Sequence, residues 1–376
     1  MTTAGRYAAP AAAERHDGLF HDALADWTND DVLQTREARA ALGARHPAGL
    51  RVLDWPELRA LFAKYDPPAT RHGQRDRRFG LLSLGLAALG LVLALLSPLA
   101  IGAERVVEIA AAALVVAGLA TMGLHKFGAS KARSLGHRFG AERVRALYFQ
   151  AVVNNLDLVS RAMANDAALG EWKRARAQML SYLPEPEDLP AQVPKLAGAV
   201  DDDDEAWVAP QWSQAPAPPE PSAELDLLLS LLRGQRLDGQ IDYVERKLSA
   251  SLGAPGQRAA VVRWLSRMLL AAAVATGLIA GVLLVMGRAL GDTDVKLALE
   301  VTAGAIVGVM ALGVINDNRL LAGDASRYAA YFAALSKARA RFDTGGAPEK
   351  LDALREVEIV CYRDLREFVR AHWRSR

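Results

Sequence analysis

The sequence predicts an all-α integral membrane protein, with four transmembrane helices arranged as two hairpins that carry cytoplasmic helical extensions. Two observations predict it. Four apolar stretches, at about residues 79–101, 106–124, 268–287 and 297–315, each approach the ~20 residues that a helix needs to cross a ~30 Å hydrocarbon core. Basic residues crowd the outer flanks of each pair. Arg71, Arg75, Arg77 and Arg78 precede the first stretch, and Lys126, Lys131, Arg133 and Arg138 follow the second. Arg258, Arg263 and Arg267 precede the third, and Arg319 and Arg327 follow the fourth. The links at 102–105 and 288–296 carry few basic residues, offset by Glu104, Asp292 and Asp294. The positive-inside rule then predicts a multi-pass protein with both termini and the central segment cytoplasmic.

Residues 1–54 read as an N-terminal cytoplasmic segment, small and mixed in composition, with no apolar h-region. The first apolar stretch begins too deep in the chain for a cleaved signal peptide, which predicts that it stays as an anchor. Residues 55–183 read as the first hairpin with its cytoplasmic helices. The first stretch carries ten leucines and no charge on any face, where a surface helix would show a polar stripe. Beyond the second stretch, Val144, Leu147, Tyr148, Ala151 and Val152 recur at helical spacing and form one apolar face.

Residues 184–224 break the pattern. Nine of the chain's seventeen prolines fall there, with the acidic run 201–205 and two isolated tryptophans, Trp207 and Trp212. Proline removes amide donors, and the composition predicts a Pro/Asp-rich linker without a core. The alternatives are a cation site at the acidic run, which lacks the spaced ligands of a calcium loop, and a short tryptophan docking motif. Residues 225–376 read as the second hairpin, with apolar helical faces at Leu225, Leu228, Leu229, Leu232 and, after the fourth stretch, at Tyr328, Tyr331, Phe332, Leu335.

The halves resemble a diverged internal repeat. The second helix of each hairpin opens with a basic residue and then an acid, Arg105 with Glu108 and Lys296 with Glu300. Spacings of three and four residues place each pair on one helix face. Acids inside a span point to a pore lining or proton relay; near a helix end they also serve as interfacial pairs whose side chains snorkel to the headgroups. The second hairpin adds small-residue stripes, Ala273, Gly277, Gly281 and Gly304, Gly308, Ala311, suited to close packing within the hairpin or between protomers.

Chemistry is harder to find. A net charge of +2 gives no global excess for nucleic acid. The single cysteine, Cys361, allows no intramolecular disulfide, and its place on an apolar helical face predicts a buried, inert thiol. The chain has no phosphate-binding glycine loop, no dinucleotide fingerprint, no metalloprotease motif and no nucleophile elbow. The seven histidines are scattered, with no pair at helical ligand spacing. His125 reads as an interfacial residue rather than a ligand. No catalytic residue, cofactor or metal is expected, and the reading is of a protein that is not an enzyme.

The segment LFAKYDPPATRHGQRDRR ends in a basic cluster before the first hairpin, and AERVRALYF follows it. Through Tyr65, Asp66, Ala141, Glu142 and Arg145 this resembles the SLATT-type two-transmembrane effector domains of bacterial conflict systems. RLDGQIDYVERKL resembles the lead-in of a second, diverged copy through Gln240 and Tyr243; the DASRYAAYF that follows the fourth stretch lacks the Ala-Glu-x-x-Arg pattern. The resemblance implies a bacterial inner-membrane effector that forms homo-oligomers and permeabilises or disrupts the bilayer. Its implied partners are the lipid bilayer and a cytoplasmic nucleotide-sensing or nucleotide-synthesising protein. Two other classes stay open: a non-catalytic membrane anchor or scaffold for a cytoplasmic partner, and a small channel or transporter built on the repeat.

Overall fold

The computed structural model describes residues 32–96, 102–127, 130–198, 203–209, 212, 219–248, isolated positions between 261 and 282, and 321–374. Among these the chain is helical with no strand. Thr35 caps α1 (Arg36–Arg45) by accepting the Ala38 amide, which satisfies one of the free donors at the helix start. The short α2 (Pro47–Leu53) has proline in its first turn, where a missing amide costs nothing.

A 41-residue helix, α3 (Pro56–Leu96), fuses the charged lead-in to the first apolar stretch, with Pro67 and Pro68 inside it. The link to α4 (Glu104–Phe127) turns at Gly102, whose φ of +81° suits a residue without a side chain. The two helices run antiparallel at very close range. A Cβ on Gly90 would lie 2.7 Å from the Ala111 carbonyl oxygen, and one on Gly118 would lie 2.7 Å from that of Ser83. Leu82, Leu89, Val106, Ile109 and Val116 on the outside of this hairpin are exposed.

The membrane-protein expectation is corrected here. Among the described residues no helix is long and apolar enough to cross a membrane. The multi-pass fold, the inner-membrane location and the pore-forming role inferred from them therefore fall. The described part of α3 ends at Leu96, and its N-terminal half is the charged lead-in. Arg105 and Glu108 stand in the first turns of α4, and the face of α4 that meets α3 is built of small residues, Ala111 and Gly118 among them, that let the two backbones approach closely. The stripes Ala273, Gly277, Gly281, Gly304, Gly308 and Ala311 and the pair Lys296 and Glu300 lie outside the described residues.

The remaining helices build one core. They are α5 (Ser130–Val153), α6 (Leu156–Ala164), α7 (Asp166–Met179), α8 (Leu189–Gly198), α9 (Ala223–Leu232), α10 (Gly239–Leu248), α11 (Leu321–Thr344) and α12 (Ala347–Arg374). A single apolar cluster runs from Val32 to Val369 and draws on both expected halves. α5 is its axis: Val144, Leu147, Tyr148 and Ala151 are buried as the periodicity requires. α12 lies against α5 and α8, and α10 against α11.

The segment read as a coreless linker is also corrected. Leu189 and Val193 of α8 are wholly buried, and Ala206, Trp207 and Val208 in the turn that follows the acidic run are buried too. Gln150 of α5 holds that turn at both ends. Its amide nitrogen donates to the Ala206 carbonyl at 2.9 Å, and its oxygen accepts the Val208 amide at 2.8 Å. Arg355 of α12 stacks over Trp207 at 4.5 Å. Composition alone underrated the segment because apolar residues at 189, 193 and 196 sit between its prolines and repeat at helical spacing.

Candidate functional site

Between α9 and α10 the helix widens into a π-helical turn, Arg233–Asp238. Such turns insert an extra residue and recur at functional positions. Three consecutive residues of this turn, Gln235, Arg236 and Leu237, are buried.

Arg236 points inward and forms a two-pronged pair with Glu358 of α12. Its Nε lies 2.7 Å from Oε1 and its terminal nitrogen 3.2 Å from Oε2. The side chains are 4% and 1% exposed, so both charges have left water. Phe149 of α5 covers the guanidinium at 4.5 Å. Paired and hydrogen-bonded in this way the two charges are tolerated; either one alone would be strongly destabilising.

Around this pair the two halves meet. From α5, Arg145 donates to Glu142 at 2.5 Å, and Arg138 approaches the other oxygen of Glu142 at 3.9 Å. Burial works to raise the Glu142 carboxyl, but Arg145 and Arg138 outweigh it and hold it below the usual carboxylate range. From α10, Gln240 accepts the Tyr331 hydroxyl at 3.0 Å, and Tyr243 sits 3.5 Å from the Tyr328 hydroxyl of α11. Arg327 of α11 bonds Asp364 of α12 and reaches Asp324 at 3.3 Å. Burial opposes the Arg327 charge, and Asp364 more than restores it.

The cavity at the centre measures about 40 Å³ and is lined by Arg138, Glu142, Arg145, Arg236, Gln240 and Tyr243 of the sequence motifs or beside them, with Tyr328, Tyr331, Cys361 and Asp364 opposite. That volume holds roughly two or three waters and no organic molecule. Its nucleophiles are quiet. Burial pushes the Cys361 thiol up to about 12 and the Tyr331 hydroxyl well above its ordinary value, and the two sit 3.0 Å apart. Both stay protonated at neutral pH, so neither is an activated nucleophile. Three arginines and three carboxylates here are tied to one another rather than left open to a substrate. Chemically the arrangement holds elements together.

Four of the motif residues, Glu142 and Arg145 from one half and Gln240 and Tyr243 from the other, therefore line one cavity. Ala141 is buried beside them. Tyr65 plays a different part: its ring rests on Gly140, and its hydroxyl donates to the Pro184 carbonyl at 2.6 Å. Asp66, the next residue, is partly exposed. Arg105 and Glu108 are both exposed and form no ion pair with each other.

Sequence reasoning missed Glu358, Arg327 and Asp364. Glu358 carried a readable signal, an acid set in the apolar stripe Leu351, Leu354, Val357, Leu365 of α12. It also missed a histidine pair, because helical spacing finds only neighbours on one helix. His72 of α3 and His137 of α5 stack with ring centres 5.7 Å apart and planes 3° from parallel. Burial, with His72 beside it, lowers the His137 pKa. No cluster of metal-ligating side chains occurs among the described residues.

No family model matches the sequence, and neither the curated proteins nor the solved structures contain a match to it.

Proposed function

We propose that this chain is a non-catalytic helical switch, an effector of a bacterial conflict system in which buried charge pairs lock the helices of the second half in place against α5 of the first. One observation carries the reading: motif residues about a hundred positions apart in sequence, Glu142 and Arg145 against Gln240 and Tyr243, share one cavity. A latch needs groups that are stable when paired and costly when separated. Arg236 and Glu358 meet that requirement within the second half, where they tie the turn before α10 to α12, since breaking such a pair leaves a bare charge in the core. A second property supports the reading. The network joins helices α5, α10, α11 and α12, so a partner that moves one of them strains the whole cluster. The partner class suggested by the sequence resemblance is a nucleotide-sensing or nucleotide-synthesising protein.

Induced expression in a bacterial host tests the proposal. The wild-type chain is expected to be tolerated without its partner, whereas Glu358→Gln, which opens the latch while keeping side-chain volume, is expected to arrest growth. Ala333→Lys, on an exposed face of α11, is the control and should behave as wild type. Normal growth with accumulated, helical Glu358→Gln protein would contradict the effector reading.

A further inference from the structure

A second cavity, of about 510 Å³, opens between α2, the turn that follows it and α7. Its volume falls in the range of small-molecule sites, unlike that of the latch. At its wall lies Arg176 of α7, 5% exposed. Arg145 and Arg236 are equally buried, and each holds a carboxylate. Arg176 holds none among the described residues. One terminal nitrogen donates to the Asp54 carbonyl at 2.6 Å and more weakly to that of Val52 at 3.5 Å. Its Nε has no hydrogen-bond partner.

The guanidinium is positioned with care all the same. Its carbon lies 5.4 Å from the Trp55 ring centre and 5.7 Å from that of Trp172. The two rings meet edge to face at 6.2 Å, and the Trp172 Nε1 donates to the Val52 carbonyl at 2.9 Å. These contacts fix a buried cation against aromatic faces, which attract it; Glu57 and Asp54 act on it from a distance, but among the described residues no carboxylate lies within ion-pair reach to meet the demand of burial.

The charges that share the cavity nearly cancel except at this place. Arg51 is engaged by Asp166, and Asp54 by Arg59. That leaves Arg176 and the exposed Lys173 against one exposed acid, Glu57. The rest of the lining is apolar, chiefly Pro47, Leu50 and the Trp55 ring.

We infer that this cavity binds a small organic anion, a ring or similar apolar body bearing a carboxylate or phosphate, with the anionic group between Arg176 and Lys173. The body rests on the Pro47, Leu50 and Trp55 wall. The site is independent of the latch, and its test does not depend on the switch reading.

Titration calorimetry and tryptophan fluorescence on the full chain test it, with phenyl phosphate, benzoate, inorganic phosphate and the neutral benzyl alcohol as probes. Saturable binding of phenyl phosphate or benzoate is expected, at least about tenfold tighter than benzyl alcohol or inorganic phosphate. The relative strength of the first two tells a phosphate site from a carboxylate site. Lys173→Glu, an exposed change that leaves the core intact, should weaken binding about tenfold or more by setting a like charge at the mouth. Glu57→Gln should tighten it. Equal binding of benzyl alcohol, no saturation at millimolar probe, or an unchanged affinity in Lys173→Glu would overturn the assignment.

Discussion

Arg236 and Glu358 show why a buried ion pair specifies more than it stabilises. Removing both charges from water costs several kcal/mol each, and their attraction roughly repays it. The strength of the pair lies in what its loss would leave behind. Arg236→Met strands Glu358, 1% exposed, in the core. Urea denaturation should show a loss of about 3–5 kcal/mol for this single change. The double change Arg236→Met with Glu358→Leu replaces the pair by apolar side chains and should recover most of that loss. An equal loss in both variants would mean that the arginine acts through packing on Phe149 rather than through its charge.

At the scale of elements, helices here are placed by close contacts that need small residues or special turns. Arg236 points inward from the π-helical turn at Arg233–Asp238. The α3–α4 hairpin is set by Gly90 and Gly118, each facing the backbone of the other helix. Gly118→Val would put a branched side chain where even a Cβ lies 2.7 Å from the Ser83 oxygen and 2.9 Å from the Ala87 nitrogen. Backbone cannot yield as a flexible side chain can. The hairpin should splay, with a loss of about 1–3 kcal/mol in thermal or urea unfolding. Gly85→Ala, with open space at its Cβ position, should be nearly neutral by comparison.

Much of the helical content was legible because it depends on local pattern. The stripe Val144, Leu147, Tyr148, Ala151 of α5 is buried where a period of 3.6 places it. What periodicity cannot supply is the partner of a face. The apolar length of the 79–101 and 106–124 stretches was read as a match to a bilayer; the structure instead shows α3 joined to its charged lead-in and α4 packed on it through glycine. Trp207 and Leu189 were misread for the opposite reason. Their proline-rich surroundings suggested a linker, whereas Gln150, more than fifty residues away, gives that turn its anchor. The latch was half legible. Glu142, Arg145, Gln240 and Tyr243 were visible as motifs, but their meeting depends on long-range packing that brings α5 against α12 and α10 against α11.

At the scale of the whole molecule, the two halves form one unit around a shared core, and the Arg236–Glu358 pair holds α10 and α12 of the second half in place against α5. The continuous core from Val32 to Val369 makes cooperative opening the expected behaviour of the intact protein. Native-state hydrogen–deuterium exchange, resolved by peptide across α5, α7, α10, α11 and α12, measures this directly. In the wild-type chain these helices should lose protection together, in a single cooperative step. In Glu358→Gln, α10, α11 and α12 should exchange well before α5 and α7, which reports loosening of the second half with the first half still folded. Separate exchange of the halves in the wild type, or identical patterns in wild type and Glu358→Gln, would contradict the account.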